Sequence, residues 1–114
     1  KSFADAKQVG MAVANSPLCK TAIFGQDPNA GRFICAVGYS GVEIVPEKVT
    51  IKFGDITVYA GGLVTKFNQD AARKLLTEHD IVIDIDLGLG DSKATVYSCD
   101  LSYRYVAINA EYES

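Results

Sequence analysis

The sequence predicts an α/β fold in which helices pack on a mixed, largely antiparallel sheet. Apolar residues over positions 1–38 recur at spacings of three and four, which is the helical period. Beyond Gly41 the spacing changes to two, which is typical of strands with one buried face. The chain has 114 residues and is 48% apolar, so it can bury roughly two-thirds of its unfolded surface. We therefore expect a single domain over residues 1–114.

Two helices are predicted at the start of the chain. The first opens at a pair that resembles a capping box, Ser2 and Asp5, and ends near Asn15. Its apolar face consists of Ala6, Val9 and Val13. The second begins at Ser16-Pro17, a capping residue followed by one suited to the first helical position. It ends at Gly25, and its apolar positions are Leu18, Ala22 and Ile23.

A third helix is predicted after the polar stretch FGQDPNAGRF, residues 24–33. Asp27-Pro28 has the composition of a cap and a first helical residue. The apolar run that follows can continue as a buried helix to Gly38, through Phe33, Ile34, Ala36 and Val37.

The region with period two predicts two hairpins separated by a helix. Two residues, Gly54-Asp55, suit a type II′ turn because glycine comes first. They separate a strand with Val49, Ile51 and Phe53 from a strand of residues 56–59. Gly61-Gly62 turns the chain again, and Asn68 can cap a helix that carries Ala71, Ala72, Leu75 and Leu76.

A second hairpin is predicted over residues 81–99. Ile81, Ile83, Ile85 and Leu87 share one strand face, GLGD at 88–91 forms the bend, and the return strand covers residues 93–99. Asp100 then predicts the cap of a last short helix through Tyr103, Val106 and Ala107.

Charge and hydropathy argue against two classes of partner. The net charge is 11 − 14 = −3, whereas a nucleic-acid binder needs a basic face to displace phosphate counterions. No apolar stretch approaches the roughly 18 residues of a membrane span. We therefore expect neither nucleic acid nor a membrane as a partner. Lys1, without a Met before it, is typical of a processed or cleaved end.

The cysteines and the single histidine favour structural roles. Cys19, Cys35 and Cys99 are odd in number and no two have C-x-x-C spacing. We expect free, mostly buried thiols in a reducing compartment rather than a disulfide scaffold or a zinc site. His79 lies in a charged stretch, which favours a solvated helix end over a Cys–His nucleophilic pair.

Three further patterns each allow a structural and a chemical interpretation. Asp84 and Asp86 share a strand face and could act as an acid–base pair or bind a cation, but a half-solvated strand has the same pattern. Gly88-Leu89-Gly90 favours a hairpin turn over a phosphate loop, because it lacks the third glycine and the following Lys-Ser/Thr. The last set can hold an anion or simply cap a turn: Lys20, Asp27, Asn29 and Arg32.

Three segments resemble a known family. They are KTAIFGQDPNAGRFICAVGYSGV (20–42), IKFGDITVYAGG (51–62) and SCDLSYRYVAINAEYES (98–114). In order and over essentially the whole chain, they resemble the C-terminal part of the ornithine acetyltransferases. These enzymes are also called glutamate N-acetyltransferases, of arginine biosynthesis. Within them, the patterns GxDPNxGR and CDLSYxYVxINAEY are the specific ones.

The resemblance implies a two-chain, self-cleaving enzyme with an N-terminal threonine nucleophile. One precursor gives an α chain and a β chain, and the new threonine carries acetyl from N-acetylornithine to glutamate. The reaction needs no cofactor, and some members also use acetyl-CoA. The family further implies a cytoplasmic enzyme in which two α/β heterodimers form a heterotetramer.

This chain is similar to the C-terminal portion of the β chain. It lacks the Gly-Ala-Thr stretch where the family cleaves itself, so the resemblance places no catalytic residue and no metal ligand here. The expected partners are the α chain and the remaining β-chain segment. Two family substrate-binding positions fall on Asn109 and Ser114. The structural alternative is that Asn109 caps the last helix and Ser114 is a frayed terminus.

Ala30 departs from the family pattern, which usually has Trp in DPNWGR. Loss of an indole leaves a cavity unless neighbours such as Phe33 or a partner chain refill it. The departure keeps two alternatives open. One is a non-catalytic α/β binding or assembly module, and the other is a relative that serves another acyl acceptor in secondary metabolism.

Overall fold

The computed structural model describes residues 3–77, 81–88, 92–98 and 103–110. Within these ranges, four helices and six strands follow one another, with a short 3-10 helix before the first strand. The helices are α1 (Phe3–Ala14), α2 (Pro17–Phe24), α3 (Ala30–Gly38) and α4 (Gln69–Leu75), and the 3-10 helix is Pro46–Lys48. The strands are β1 (Thr50–Phe53), β2 (Ile56–Ala60), β3 (Leu63–Val64), β4 (Ile81–Asp86), β5 (Ser92–Ser98) and β6 (Tyr103–Ala110).

The six strands form one sheet in the order β3-β2-β1-β4-β5-β6. Each neighbouring pair is antiparallel. Helix α1 packs on β5 and β6 and against α3, and α3 contacts β1 and β2. The predicted α/β fold, with helices on a largely antiparallel sheet, is therefore confirmed.

The core lies between the helices and one face of the sheet. On β4, alternate residues are fully buried, and their cross-strand partners are buried too. Ile83 is opposite Phe53 on β1 and Val96 on β5. Phe53 in turn meets Phe33 of α3 edge-to-face, with ring centroids 5.0 Å apart at 67°. Because aromatic pairs add about 0.5–1.5 kcal/mol beyond their burial, this contact fixes α3 on the sheet.

Helices α1, α2 and α4 form where the local signals predict them. Ser16 caps α2, and its side chain accepts a hydrogen bond from the Cys19 amide at 3.3 Å. Asn68 caps α4 in the same way, from the Ala71 amide at 2.9 Å. Within α2 the exception is Leu18, which is 59% exposed although its spacing is that of an apolar core position.

The start of α3 corrects one prediction. Asp27 does not cap this helix. Asn29 does, since its side chain accepts a hydrogen bond from the Arg32 amide at 3.3 Å. The physical reason lies in the preceding turn, where the Asp27 amide donates to the Ala22 carbonyl at the end of α2. The backbone of Asp27 is therefore part of the turn that ends α2, and the cap of α3 falls two residues later, at Asn29.

The last element corrects a second prediction. Residues 103–110 form strand β6, not a helix capped by Asp100. They pair with β5 from Ser92↔Ala110 to Ser98↔Tyr103. The spacing of three between Tyr103 and Val106 resembles that of a helix, but pairing with the preceding strand β5 outweighs that signal.

The two-residue turns that join β1 to β2 and β2 to β3 depend on glycine. Gly54 has φ +60° while Asp55 is not in the left-handed region, which agrees with the predicted type II′ turn. Gly61 and Gly62 both have positive φ, 63° and 85°, as a type I′ turn requires. This second turn leads into β3, a two-residue edge strand that the sequence did not indicate.

Asn68→Ala is expected to lower the free energy of unfolding by about 1 kcal/mol, because it removes the side-chain cap of a seven-residue helix. Urea unfolding measures the loss. The matched control is Asn15→Ala, at an exposed asparagine that follows α1, with an effect within about 0.5 kcal/mol. Equal effects at both positions would contradict the capping role.

Candidate functional site

The stretch 24–33 joins two helices that Arg32 ties together. Asn29 holds the first turn of α3 through its side chain, and Arg32 projects from that turn towards α2. Its Nη1 atom donates to the Leu18 carbonyl at 3.2 Å and to the Thr21 hydroxyl oxygen at 3.1 Å. The guanidinium thus fastens α3 to α2 through two neutral acceptors.

The predicted anion-binding set is only partly brought together. Asn29 and Arg32 are linked by the capping hydrogen bond. Asp27 is exposed and Lys20 half-buried, and within the described residues neither side chain has a hydrogen bond or ion pair to Arg32. The arrangement therefore supports a capped helix start next to an arginine, without a four-residue cradle.

A pocket of about 250 Å³ lies beside Arg32, between α1, α2 and α3. Leu18 of α2 and Tyr39 at the end of α3 stand at its rim, and they are 59% and 90% exposed. The exposed Cys35 also lines it. The sequence signal for this pocket is the helical spacing of Arg32, Cys35, Ala36 and Tyr39, which places them on one face of α3. The pocket is not among the sites predicted above.

The two aspartates of β4 each have a partner of their own. The Thr95 hydroxyl donates to Asp84 Oδ1 at 2.9 Å, and Thr95 itself is 2% exposed. Asp86 Oδ2 lies 3.9 Å from Lys93 Nζ, and its Oδ1 accepts a hydrogen bond from the Gly88 amide at 2.8 Å. These bonds favour a polar strand face over an acid–base pair. Over the described ranges, no three His, Cys, Asp or Glu residues are placed to hold a metal ion.

Asn109 lies in β6 and not at a helix end. It occupies the register position opposite Lys93 on β5, which is itself opposite Asp86 on β4. The alternative in which Asn109 caps a helix is therefore wrong. Ser114, the other predicted substrate-binding residue, lies outside the described residues, as do His79 and Cys99.

The two described thiols differ in environment. Cys19 is fully buried, and its Sγ donates to the Arg32 carbonyl at 3.5 Å. Burial raises the pKa of the Cys19 thiol, against smaller lowering effects from Ser16 and Arg32, so this thiol resists ionisation and alkylation. Cys35 is exposed and Cys99 lies outside the described residues, so the expectation of mostly buried cysteines stays a prediction. Both are free thiols.

Comparison with known proteins decides the family. The model of the ArgJ family matches residues 1–114, the full length of the chain. The chain belongs to the ArgJ family. Among its relatives is the arginine biosynthesis bifunctional protein ArgJ of Staphylococcus aureus (strain COL), 46% identical over 114 residues. Another is the glutamate N-acetyltransferase of Methanosarcina mazei, 42% identical over 117 residues. The resemblance noted from the three segments is confirmed.

The solved structure of the ArgJ protein from Bacillus halodurans has the same fold. It superposes with a TM-score of 0.80 at 37% sequence identity, over 90% of this chain and 48% of that chain. The chain spans 28% of the length of the S. aureus ArgJ relative and 30% of the M. mazei relative. It thus corresponds to a part of the ArgJ proteins. None of the helices in the described ranges is long and apolar enough to cross a membrane.

Proposed function

We propose that these residues form part of an acetyltransferase that moves acetyl from N-acetylornithine to glutamate in arginine biosynthesis. The observation that supports this most strongly is the match to the ArgJ family over residues 1–114. Relatives named for arginine biosynthesis and for glutamate N-acetylation support the same reaction. The proposal includes cytoplasmic location and self-cleavage into α and β chains that assemble as a heterotetramer.

The nucleophile comes from outside this chain. In the proposed reaction, the hydroxyl of an N-terminal threonine adds to the acetyl carbonyl of N-acetylornithine while its own amine takes the proton. The C–N bond breaks, ornithine leaves with that proton on its amine, and an acyl-threonine ester remains. The glutamate amine then attacks the ester and restores the threonine hydroxyl. No redox step or cofactor is needed.

Asn109 and Ser114 would contribute to the amino-acid pocket. An asparagine amide both donates and accepts, so it can bind the charged α-groups of an amino acid. The hydroxyl of Ser114 would add a further hydrogen bond to the same α-groups. The register of β6 supports Asn109, because it places the residue beside strand positions that carry the Lys93–Asp86 ion pair. That row provides a polar setting for a substrate with two charges.

The reaction is tested on the full-length enzyme that contains these residues. Supplied with N-acetylornithine and glutamate, it is expected to form ornithine and N-acetylglutamate in equal amounts, followed by NMR. A folded, self-cleaved enzyme that transfers nothing from N-acetylornithine to glutamate or to any other acceptor in an amino-acid panel would contradict the proposal. That outcome would favour a binding or assembly module.

Asn109→Ala is expected to lower kcat/KM by about 10- to 100-fold in that enzyme, the effect of losing a hydrogen bond to a charged group. Steady-state kinetics with varied glutamate and N-acetylornithine measure the change. Asn15→Ala serves as the control, because Asn15 is exposed at the end of α1. Kinetics equal to those of the unaltered enzyme would remove Asn109 from the site.

A second candidate function is transfer to a different acyl acceptor, and Ala30 favours it. Ala30 is 2% exposed at the first position of α3, where the family pattern usually has Trp. The neighbouring Phe33 packs on Phe53 of the sheet. The acceptor panel separates the two candidates, because only the second predicts a kcat/KM that is higher for another amine than for glutamate.

A further inference from the structure

The outer surface of the helix layer carries an apolar rim around a single cation. We call it the Arg32 pocket: the space of about 250 Å³ bordered by Arg32, Leu18, Cys35 and Tyr39 and lined also by Ala12, Ser16 and Ala36. Leu18 and Tyr39 expose most of their side chains here, and Met11 of the adjacent α1 is 41% exposed. Large side chains exposed together on a helix layer are typical of surfaces that contact another polypeptide.

The charge of Arg32 is not neutralised within the described part of the chain. Both hydrogen bonds of its guanidinium go from Nη1 to uncharged acceptors. The ion pairs found among the described residues join other groups, Arg73 to Asp70 and Lys93 to Asp86. The second terminal nitrogen and Nε remain available, and this is the edge of a guanidinium that binds a carboxylate through two parallel hydrogen bonds.

The small size and open rim of the pocket favour an inserted side chain over an enclosed small molecule. Pockets that enclose a small-molecule ligand are commonly about 300–1,000 Å³. The Arg32 pocket is smaller, and its rim residues stand open to solvent. A space of this size suits one side chain inserted from a neighbouring surface, with Leu18 and Tyr39 contacting the residues around it. A buried arginine contact surrounded by apolar residues is also the common composition of an interface hot spot.

We propose that the Arg32 pocket receives an acidic side chain with an apolar neighbour, from a segment of the enzyme outside these 114 residues. The inference rests on the proposed function, in which this chain works with the remainder of the enzyme. Relatives have room for such a segment, since the chain matches 28% of the length of the S. aureus ArgJ protein. The carboxylate completes the Arg32 fork, and its neighbour covers Leu18 and Tyr39.

Cys35 provides the measurement, because it lines the pocket and its thiol is free and exposed in this chain. In the assembled full-length enzyme, iodoacetamide labelling is followed for each cysteine by mass spectrometry. Cys35 is expected to react about tenfold or more slowly than in the same enzyme unfolded in urea. Labelling of folded enzyme within about threefold of the unfolded rate would mean an open pocket, and would overturn the proposal.

Variants of Arg32 then show whether Cys35 is protected by a carboxylate bound to Arg32 or only by apolar residues that cover the pocket. Arg32→Gln is expected to raise the Cys35 labelling rate about tenfold, and Arg32→Lys, which retains the charge but loses the fork, about threefold. Arg73→Gln on α4 is the matched control and should leave Cys35 protected. Cys19 is fully buried, so its labelling reports on whether the variant is folded. If Arg32→Gln makes Cys19 reactive, the labelling of Cys35 in Arg32→Lys decides whether a carboxylate is bound. If Cys35 stays protected in both Arg32 variants, the proposed contact between Arg32 and a carboxylate is wrong.

A small-molecule carboxylate is the competing occupant. Protection of Cys35 that disappears after exhaustive dialysis of the folded enzyme would identify it, and would overturn the proposed polypeptide segment. Acetyl transfer is measured on the same samples. Protected Cys35 in an enzyme without transfer would contradict the proposed function alone, whereas active enzyme with freely labelled Cys35 would contradict the docking segment alone.

Discussion

Phe33→Ala is expected to lower the free energy of unfolding by about 3–5 kcal/mol, the usual cost of removing a fully buried aromatic side chain. Phe33 is 0% exposed and contacts Phe53 of β1 edge-to-face. The change leaves a cavity between α3 and the sheet and removes the aromatic pair as well. It acts at the junction that carries Asn29 and Arg32, so the loosening of α3 should also reach the Arg32 pocket.

Urea unfolding followed by circular dichroism measures this loss. Phe24→Ala is the matched control, because Phe24 ends the neighbouring helix α2 and is 47% exposed. Its cost should stay below about 1.5 kcal/mol, since part of that ring is already in water. If the two variants lost the same stability, the assignment of Phe33 as the aromatic contact between helix and sheet would be wrong.

Gly88→Ala is expected to cost roughly 3 kcal/mol or more. Gly88 follows β4 with φ +68°, and a Cβ atom built there would overlap the backbone carbonyl oxygen of Lys48. The left-handed conformation alone costs a non-glycine residue about 1–2 kcal/mol. The clash adds to it because a backbone carbonyl cannot rotate away as a flexible side chain can. The same turn holds the hydrogen bond from the Gly88 amide to Asp86.

Two other glycines separate the cost of the left-handed conformation from the cost of the clash. Gly61 also has a positive φ, +63°, but open space around its Cβ position, so Gly61→Ala should cost only about 1–2 kcal/mol. Gly38, the last residue of α3, has neither constraint, and Gly38→Ala should be neutral or slightly stabilising. Thermal and urea unfolding of the three variants give the order. A loss at Gly88 no greater than at Gly61 would rule out the clash with Lys48.

The position of Arg32 shows why a signature segment can be found before its role is understood. The stretch 24–33 was identified from composition and from the family pattern. The hydrogen bonds of Arg32 depend on how α2 packs beside α3, because its side chain donates to the carbonyl of Leu18 and the hydroxyl of Thr21 on α2. The sequence does not show that Arg32 on α3 lies next to these two residues of α2. The pocket beside Arg32 appears only once α1 also packs against α3.

The strands of the second hairpin were predictable and their side-chain partners were not. Alternation over residues 81–87 specified the buried face of β4, as observed. The pairing of Asp84 with Thr95 depends on the β4–β5 register, and a shift of one residue would give each strand the other face. The buried isoleucines of β4 favour the observed register, because a shift of one residue would move them out of the core. Asn109 likewise gained its position only when β6 paired with β5.

By itself, the sequence determined the elements whose signals are local. Helix caps such as Ser16 and Asn68, glycine turns and the alternation of β4 act within a few residues, where steric limits and capping hydrogen bonds dominate. Membership of the ArgJ family followed from the same linear patterns. Only the tertiary structure decided that residues 103–110 form a strand, that Asn29 rather than Asp27 begins α3, and that Arg32 borders a pocket. Each depends on how one element pairs or packs with another, β6 with β5 and α3 with α2 and α1, and the burial and hydrogen-bond energies of those contacts outweigh local propensity.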